Sequence, residues 1–466
     1  MKGLFFPDPD EDRADRMNWR FDRDLLTRVW QLAWPTVVYS LLQTLVGLVD
    51  VYMVGRLGKE AIAAVGFSQQ VLMLIMIGAL GVNTGTITLV AQFVGAGKRD
   101  QAGRVAGQAL LSMFALGVAI GIPGVLWARQ FLALLGARGP VLIQGSPYLR
   151  LMLAGSSLMM LNFAVAFIFR GAADAVTPLK IAVGVNLTNV VGNWLFIFGI
   201  GPFPRLGVAG AAVGSLVARA FGAIVGIALL TTGWYRVRLR FARGAGLVDF
   251  SLIRRILNIG LPAAGQGFFR NGARVLFFRI VASSALGTTA TAALTVGSRL
   301  RMLTIMPALA FRVAAAALVG QSIGAEDWEQ AEGIARETVK LCTAIMVVLV
   351  VLLLACAPWV IAVFSDDAGV IDVGTTMLRF LVVGQFFSAV AIASSGGLAG
   401  AGDTRPPLYY TIIGQWMVML PLAWVLMQKV GLDPQGAWMA FAVAPVLEAT
   451  LTLQRFRSGK WKHIRV

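Results

Sequence analysis

The chain has 466 residues, of which 58% are hydrophobic and only 14% are charged, and its mean hydropathy is +0.76. Soluble domains carry roughly 25% charged residues, so these values exclude a multidomain soluble protein and indicate an integral membrane protein. The 40 Lys and Arg residues outnumber the 23 Asp and Glu residues, which gives a net charge of +17 and raises the question of nucleic-acid binding.

The N-terminal segment, residues 1–30, precedes the first long apolar run. It begins MKGLFFPDPDEDRADR, which contains no continuous apolar core, so we expect no cleavable signal peptide. Large apolar residues then favour an amphipathic helix that lies at the membrane interface and leads into the first span. These residues are Trp19, Phe21, Leu25, Leu26 and Trp30.

Twelve apolar runs follow, each long enough to cross the roughly 30 Å of hydrocarbon in a bilayer. They are rich in Leu, Val, Ala and Ile and do not alternate as barrel strands would, so the sequence predicts an all-α membrane protein. The predicted spans are 31–54, 61–90, 104–127, 142–168, 178–200, 207–231, 252–281, 287–318, 338–364, 371–396, 407–428 and 435–454.

Lys and Arg residues are distributed unevenly between the two sides of these spans. Most lie on the side of the two termini, and the opposite side carries only Arg56, Lys59, Arg129, Arg138, Arg205 and Lys429. Because cytoplasmic loops are enriched in Lys and Arg, we expect both termini in the cytoplasm of a bacterial cell. This topology accounts for the net charge, so we expect no nucleic-acid partner.

The two halves of the chain contain similar segments in the same order. Residues 89–102, LVAQFVGAGKRDQA, are similar to 317–331, ALVGQSIGAEDWEQA, and FRGAADAVTPLKI at 169–181 is similar to GLAGAGDTRPPLYY at 397–410. Such matches indicate an internal repeat. Since six helices return the chain to the same side, the repeat predicts two parallel lobes related by a pseudo-two-fold axis along the membrane normal, as in secondary transporters.

This repeat sets the predicted domain organisation. We expect a cytoplasmic N-terminal segment (1–30), an N-lobe of six helices (31–231), a cytoplasmic linker (232–251), a C-lobe of six helices (252–454) and a basic cytoplasmic tail (455–466). The tail is expected to contact anionic lipids.

Seven segments between residues 28 and 462 carry a family resemblance. They are LAWPTVVYSLLQTLVGLVDVYMVGRLG, GAGKRDQA, FRGAADAVTPLKI, NVVGNWLFIFGIG, VGQSIGAEDWEQAE, GAGDTRPP and FRSGKWK. Together they resemble the multidrug and toxic compound extrusion (MATE) family, in particular the prokaryotic branch named after the DNA-damage-inducible membrane protein. The resemblance implies twelve helices in two lobes and export of drugs or metabolites across the bacterial inner membrane, coupled to inward flow of H⁺ or Na⁺.

Asp50 is the main candidate for ion coupling. It follows a long apolar run near the outer end of the first span, and Thr36, Tyr39 and Gln43 share its helical face. An acid at such a position usually faces a cavity or a partner, and burial favours the protonated form of a carboxyl group. We therefore expect Asp50 to carry a proton inward; the alternative is a carboxylate held permanently by hydrogen bonds.

The fifth and sixth spans supply polar residues at a similar depth. Asn189 and Asn193 lie one helical turn apart, with Asn186 one turn before Asn189, and Ser215 lies in the outer half of the sixth span. By resemblance, Asn189, Asn193 and Ser215 match polar positions of the family's N-lobe site, where some members have an aspartate in place of Asn193. Asp50 is then the main titrating group. Alternatively, these side chains only bond between helices.

The sequence favours H⁺ over Na⁺ as the coupling ion, although Na⁺ stays an alternative. By resemblance, another branch of the family carries acids in helices 7 and 10, but the corresponding segments GQGFFRNGARVLFF and QFFSAVAIAS contain none. A dehydrated Na⁺ needs several oxygen ligands, whereas a proton needs one carboxylate. We expect no cofactor and no metal site, because the single histidine lies in the tail and the Gly-rich turns lack a nucleotide-binding lysine pattern.

The C-lobe spans contain several arginines. Arg270 and Arg274 lie on one helical face, with Gln266 one turn earlier. One interpretation is that they reach toward helix ends and lipid phosphates. The other is a cationic cavity wall, formed by Gln266, Arg270 and Arg274, that attracts acidic or zwitterionic substrates. Glu448 in the last span is a candidate partner for one of these arginines.

Other function classes are less well supported. A flippase for lipid-linked saccharides, from the same superfamily, is kept as an alternative by the C-lobe arginines. An enzyme or a channel is disfavoured, because no span contains an HExxH or paired-aspartate motif or a repeated filter sequence. The expected partners are small, amphipathic substrates and membrane lipids, and the expected state is a monomer.

Overall fold

The computed structural model describes residues 22–232, 238–239, 248–362 and 367–464. Most of the predicted N-terminal segment and most of the predicted linker 232–251 lie outside the described residues. From Arg23 onward the chain is helical without interruption to Gly55, so Leu25, Leu26 and Trp30 form the first turns of the first spanning helix. Trp19 and Phe21 lie outside the described residues.

The described residues form twelve membrane-length helical passes and contain no strand. The passes are α1 (Arg23–Gly55), α2 (Lys59–Gly95), α3 (Arg99–Leu134), α4 (Gly139–Ala154 and Ser156–Gly171), α5 (Val176–Phe198), α6 (Val208–Thr232), α7 (Phe250–Ala282), α8 (Gly287–Gly324), α9 (Trp328–Ala362), α10 (Ala368–Gly400), α11 (Arg405–Gln428) and α12 (Gln435–Arg457). This arrangement confirms the predicted all-α membrane fold with two six-helix lobes.

Two passes depart from a simple apolar helix. The halves of α4 meet at an angle of 50°, at Gly155, where the absence of a side chain leaves room for Leu216 of α6. The pass α7 has the length of its neighbours but is less apolar than the ten single helices that satisfy the composition of a membrane span, because it carries Arg270, Arg274 and Arg279.

The lobes meet mainly where α2 packs on α7 and α8 and where α1 packs on α8 and α9. Backbones approach closely at α2 and α7, where a side chain on Gly85 would collide with the carbonyl of Ile256 and one on Gly260 with that of Gly81. Small residues at helix contacts are typical of membrane bundles because they allow close backbone packing.

A pair of symmetric hydrogen bonds closes the lobes on the side of the termini. Gln92 of α2 donates to the carbonyl of Gly400, 2.9 Å away, and Gln321 of α8 donates to the carbonyl of Gly171, 3.0 Å away. These four residues occupy matching positions of the two predicted repeat segments. We call this pair of bonds the lobe clasp; it repeats one contact about the pseudo-two-fold axis, as the repeat predicts.

The described part of the basic tail packs mainly on the protein. Trp461 is 1% exposed and stacks on Phe456, while Arg455 pairs with Asp403 of the α10–α11 turn and Lys462 with an acid of α9. Acids of neighbouring helices are within reach of these charges, and contact of the tail with anionic lipid stays a prediction.

Candidate functional site

The polar face of α1 contains two kinds of residue. Some hydroxyl groups bond to backbone carbonyls of α1 itself, and other polar groups bond to side chains. The hydroxyls of Thr36 and Ser40 donate to carbonyls of their own helix. Gln43 donates to the Tyr39 hydroxyl, 3.1 Å away. Asp50 accepts a hydrogen bond from Asn193 of α5. The residues that reach outward are therefore Tyr39 with Gln43, and Asp50 nearer the outer end.

Asp50 is one end of a hydrogen-bonded chain that crosses three helices. The amide group of Asn193 donates to Asp50 Oδ1 and also to Asn189 Oδ1, 3.3 Å away. Asn189 in turn donates to Ser215 Oγ of α6 at 3.0 Å. We call these four residues the Asp50 network. Asn193 is fully buried, and its Oδ1 has no hydrogen-bond partner.

Close packing of α5 on α6 allows the hydrogen bonds of the Asp50 network to extend from α5 to α6. A Cβ atom on Gly214 would collide with Oδ1 and the backbone nitrogen of Asn193, and the Gly192 backbone lies directly against Gly214. Glycine at both positions brings the helices close enough for Asn189 to reach Ser215. Asn186 does not join the network; it donates instead to the carbonyl of Leu42 at 3.4 Å.

Arg219, one helical turn beyond Ser215, is a charged neighbour of the network. It interacts electrostatically with Asp50, Tyr148 and Tyr39, and its Nη1 is buried without a hydrogen-bond partner. No direct ion pair joins Asp50 to an arginine within the part of the chain that the structure describes. Sequence reasoning did not single out Arg219, although an isolated arginine in an apolar span is itself a signal of a functional position.

A cavity of about 450 Å³ lies in the N-lobe beside this network, which we call the N-lobe cavity. Its volume falls in the range of roughly 300–1,000 Å³ of small-molecule sites. The polar lining comes from Tyr39, Gln43, Gln69, Asn162 and Arg219, and the apolar lining includes Met73, Met76, Met159 and Phe163. Asp50 does not line the cavity, so Arg219 is the residue that both lines it and interacts with Asp50.

The C-lobe contains a second polar cluster, formed by Gln266, Arg270, Thr411, Gln415 and Glu448. Arg270 and Glu448 form an ion pair at 2.9 Å, and Gln415 donates to the other Glu448 oxygen at 2.7 Å. Gln266 and Arg270 both donate to the Thr411 hydroxyl, at 3.1 and 3.3 Å. We call this group the C-lobe cluster.

A wide helical turn and a glycine position this cluster. Residues Ile412–Met419 of α11 are in π-helical conformation, which often occurs at functional sites and here contains Gln415. A Cβ atom on Gly414 would press on the Glu448 side chain, so glycine allows α12 to approach. Of the three residues in the predicted wall, Gln266 and Arg270 take part in the cluster's hydrogen bonds and Arg274 does not, and the cationic wall stays a prediction.

Neither polar group is arranged as a metal centre. Within the described ranges, no group of three or more His, Cys, Asp or Glu side chains is placed to hold a metal ion. In chemical terms, the Asp50 network holds one carboxyl group that can exchange a proton beside a cavity, whereas Glu448 is neutralised and fixed by three partners.

Comparison with known proteins gives a consistent family assignment. A model of the MatE family matches residues 35–195 and 267–425, which include parts of both lobes. The chain is 28% identical over 434 residues to the probable multidrug resistance protein NorM of Thermotoga maritima, covering 93% of this chain and 92% of that protein. It is also 28% identical over 450 residues to a protein of the same name from Rhodopseudomonas palustris, covering 94% and 92%.

Solved structures agree on the fold. The structure superimposes on a MOP superfamily transporter from Pyrococcus furiosus with a TM-score of 0.85 at 25% identity, covering 93% of this chain and 95% of that one. A MATE family multidrug resistance transporter of the same superfamily, in its outward-facing conformation, gives a TM-score of 0.83 at 24% identity, with the same coverage. From the match of its two halves to the family model, the chain belongs to the MatE family, whose members are membrane transporters rather than enzymes.

Proposed function

We propose that the protein is a secondary active antiporter that exports drugs or metabolites, with inward proton flow through Asp50 as the driving force. Relatives named as probable multidrug resistance proteins support small molecules as the substrates. The observation that supports the proposal is the Asp50 network beside the N-lobe cavity, because it combines one partly buried, exchangeable carboxyl group with a buried, unpaired acceptor, Asn193 Oδ1.

Protonation changes what Asp50 can bond to. An ionised carboxylate only accepts hydrogen bonds, whereas a protonated one also donates. Asn193 already donates to Asp50, and its Oδ1 is an unused acceptor. Protonated Asp50 can therefore pair with both ends of the Asn193 amide, so loading a proton satisfies a buried group that is otherwise unpaired.

Arg219 supplies a route from this protonation to the substrate. While Asp50 is ionised, it attracts Arg219, which lines the N-lobe cavity. Neutralising Asp50 removes that attraction and changes the charge that the cavity presents. A ligand shifts a conformational equilibrium only through different affinities for the two states, and this change provides such a difference for proton and substrate together.

The distribution of charged residues in the sequence supports the membrane location and orientation that we propose. We place the protein in the bacterial inner membrane with both termini in the cytoplasm, because Lys and Arg concentrate on that side. Each chain contains both lobes and a complete Asp50 network, so a monomer is the proposed transport unit, in contact with lipid. Coupling to ion flow requires no nucleotide or other cofactor.

Proteoliposomes that contain the purified chain test the coupling ion. We expect accumulation of at least one dye from a panel of cationic, neutral and anionic compounds to follow an imposed pH gradient in Na⁺-free buffer and to vanish when the gradient is collapsed. Strict dependence on a Na⁺ gradient, without response to pH, would replace the proton by Na⁺ at this site. Equilibration without accumulation under either gradient would contradict active transport.

A further inference from the structure

A second cavity, of about 190 Å³, lies where the lobes meet; we call it the lobe-junction cavity. The N-lobe contributes residues of α1, α2 and α4, and the C-lobe contributes residues of α8 and α10. Two arginines line it, Arg170 from α4 and Arg312 from α8. Each lobe therefore contributes one cation to the same cavity.

Arg170 is held in place by aromatic rings. It is 4% exposed, and its guanidinium carbon lies 4.4 Å from the ring centre of Tyr39 and 5.3 Å from that of Phe167. Ring faces attract a cation but do not accept the in-plane hydrogen bonds that a guanidinium offers. Its Nε is buried without a hydrogen-bond partner.

Arg312 lines the cavity from the other lobe and is partly buried. Its Nε is also buried without a partner, and it interacts electrostatically with another cation, Arg270. Glu448, the acid of the C-lobe cluster, is bonded to Arg270, Gln415 and Thr411. Arg312 therefore has no carboxylate to balance it among the described residues.

The remaining polar lining does not neutralise these charges. The hydroxyls of Thr36, Ser40 and Thr84 each donate to a carbonyl of their own helix. No Asp or Glu of the described chain lines the cavity. Burying an unpaired charge is costly, and two of them in one cavity also repel each other, so an anion is the ligand that would satisfy both.

We propose that the lobe-junction cavity binds the anionic group of an amphipathic substrate, a carboxylate, sulfonate or phosphate, between Arg170 and Arg312. This inference rests on the proposed export function and specifies its substrate class. The cavity has room for such a group but not for a drug-sized molecule. The apolar body extends toward the N-lobe cavity, whose lining residue Tyr39 also stacks on Arg170.

An anion in this position contacts both lobes at once. It stabilises the arrangement in which α4 and α8 present their arginines to the same space, so binding from the cytoplasmic side favours closure of the lobes there. The substrate therefore has different affinities for the two arrangements, which is the requirement for coupling its binding to a conformational change.

Two probes with the same fluorophore and opposite charge test the proposal: dansylglycine, an anion, and dansylcadaverine, a cation. Equilibrium dialysis with the full chain in phosphatidylcholine nanodiscs measures their affinities without any ion gradient. We expect dansylglycine to bind about tenfold more tightly or better, since charge-assisted hydrogen bonds to two arginines are lost with the cation. Equal affinities, or tighter binding of dansylcadaverine, would overturn the proposal.

Variants then locate the site. We expect Arg312→Gln and Arg170→Gln each to weaken dansylglycine binding about tenfold or more, and Arg312→Lys, which retains the charge, to weaken it less. The matched control is Arg279→Gln, an exposed arginine of the C-lobe that lines neither cavity. Wild-type affinity in a monodisperse Arg312→Gln protein would overturn the assignment, as would an equal loss in Arg279→Gln.

Two further measurements distinguish a lipid ligand from a substrate, and the anion site from proton coupling. If a phospholipid head group fills the site, adding phosphatidylglycerol to the nanodiscs will weaken dansylglycine binding to the wild type but not to Arg312→Gln, and the assignment to substrate would be wrong. In the Asp50→Asn variant, dansylglycine binding should still depend on Arg312, even though driven transport is lost. Failure of proton coupling and failure of the anion site therefore give different results.

Discussion

Replacing Asp50 by Asn removes the exchangeable proton while keeping the size of the side chain and one accepting oxygen. The new amide can donate to Asn193 Oδ1, which is buried without a partner. One net hydrogen bond is worth about 1 kcal/mol, and no carboxylate has to be buried. We therefore expect the Asp50→Asn variant to unfold at the same temperature as the wild type or slightly higher.

Proton-driven transport by the Asp50→Asn variant should be lost, although its stability is retained. An imposed gradient of two pH units is worth about 2.7 kcal/mol per proton, which allows roughly 100-fold accumulation of a neutral substrate at one proton per substrate. Without a group that binds the proton, this energy is not coupled. Accumulation in proteoliposomes should fall to the level of liposomes without protein, although binding of substrate persists.

Two comparisons make this result interpretable. Asn193→Ala removes a neutral partner and leaves the carboxyl group, so it should reduce coupling only in part. Glu329→Gln removes an exposed acid at the start of α9 and should transport normally. Full proton-driven accumulation by a folded Asp50→Asn variant would refute the assignment and make Glu448 the next residue to test.

Three more predictions follow from packing and charge. Gly95→Ala should destabilise the closed lobe clasp, because the new methyl group would collide with the carbonyl of Gln321. Gly324→Ala should have the same effect, because its methyl group would collide with the carbonyl of Gln92. In both variants, spin-label distances between the lobes on the side of the termini should lengthen. Glu448→Ala should lower stability by about 2 kcal/mol, less than for a fully buried pair because Arg270 is 26% exposed, as seen in thermal unfolding. Trp461→Ala should cost about 3–5 kcal/mol, since the side chain is 1% exposed, and should lower the same melting temperature.

Each of these predictions has a control variant, and a stated result would contradict it. Gly66→Ala is a neutral comparison for the clasp, because nothing lies within 4 Å of its Cβ position; unchanged label distances in both clasp variants would contradict the closed contact. Glu448→Gln, which keeps an acceptor for its neighbours, should lose less stability than Glu448→Ala. Trp359, 71% exposed, should tolerate alanine, and an equal loss there would contradict the packing argument for Trp461.

The Asp50 network shows what helical spacing can predict. Asn189 and Asn193 are four residues apart, so their shared face follows from helix geometry alone, and the depth of Asp50 and Ser215 follows from counting along each span. The approach of Arg219 to Asp50 depends instead on how closely α5 packs on α6, which Gly192 and Gly214 determine. Distances between helices are a tertiary property, so the sequence did not predict this interaction.

The C-lobe shows where the same reasoning stops. Arg270 and Arg274 lie one turn apart on α7, so spacing predicts a common wall, but only Arg270 reaches Glu448 on α12. Residue spacing also does not predict the π-helical segment of α11, which contains Gln415 of the cluster. Likewise, α4 was predicted as one span, and the sequence did not predict its bend of 50° at Gly155, against which Leu216 of α6 packs.

The lobe clasp has a consequence for how readily the protein can change shape. Both of its acceptors, the carbonyls of Gly171 and Gly400, belong to the last residue of a helix, where backbone carbonyls have no partner within the helix. When the lobes part, water can replace each glutamine at little cost, so the two bonds together hold the lobes by only about 2 kcal/mol. That is the energy of one proton crossing a gradient of about 1.5 pH units. The lobe clasp is thus weak enough for the energy of a single ion to break it.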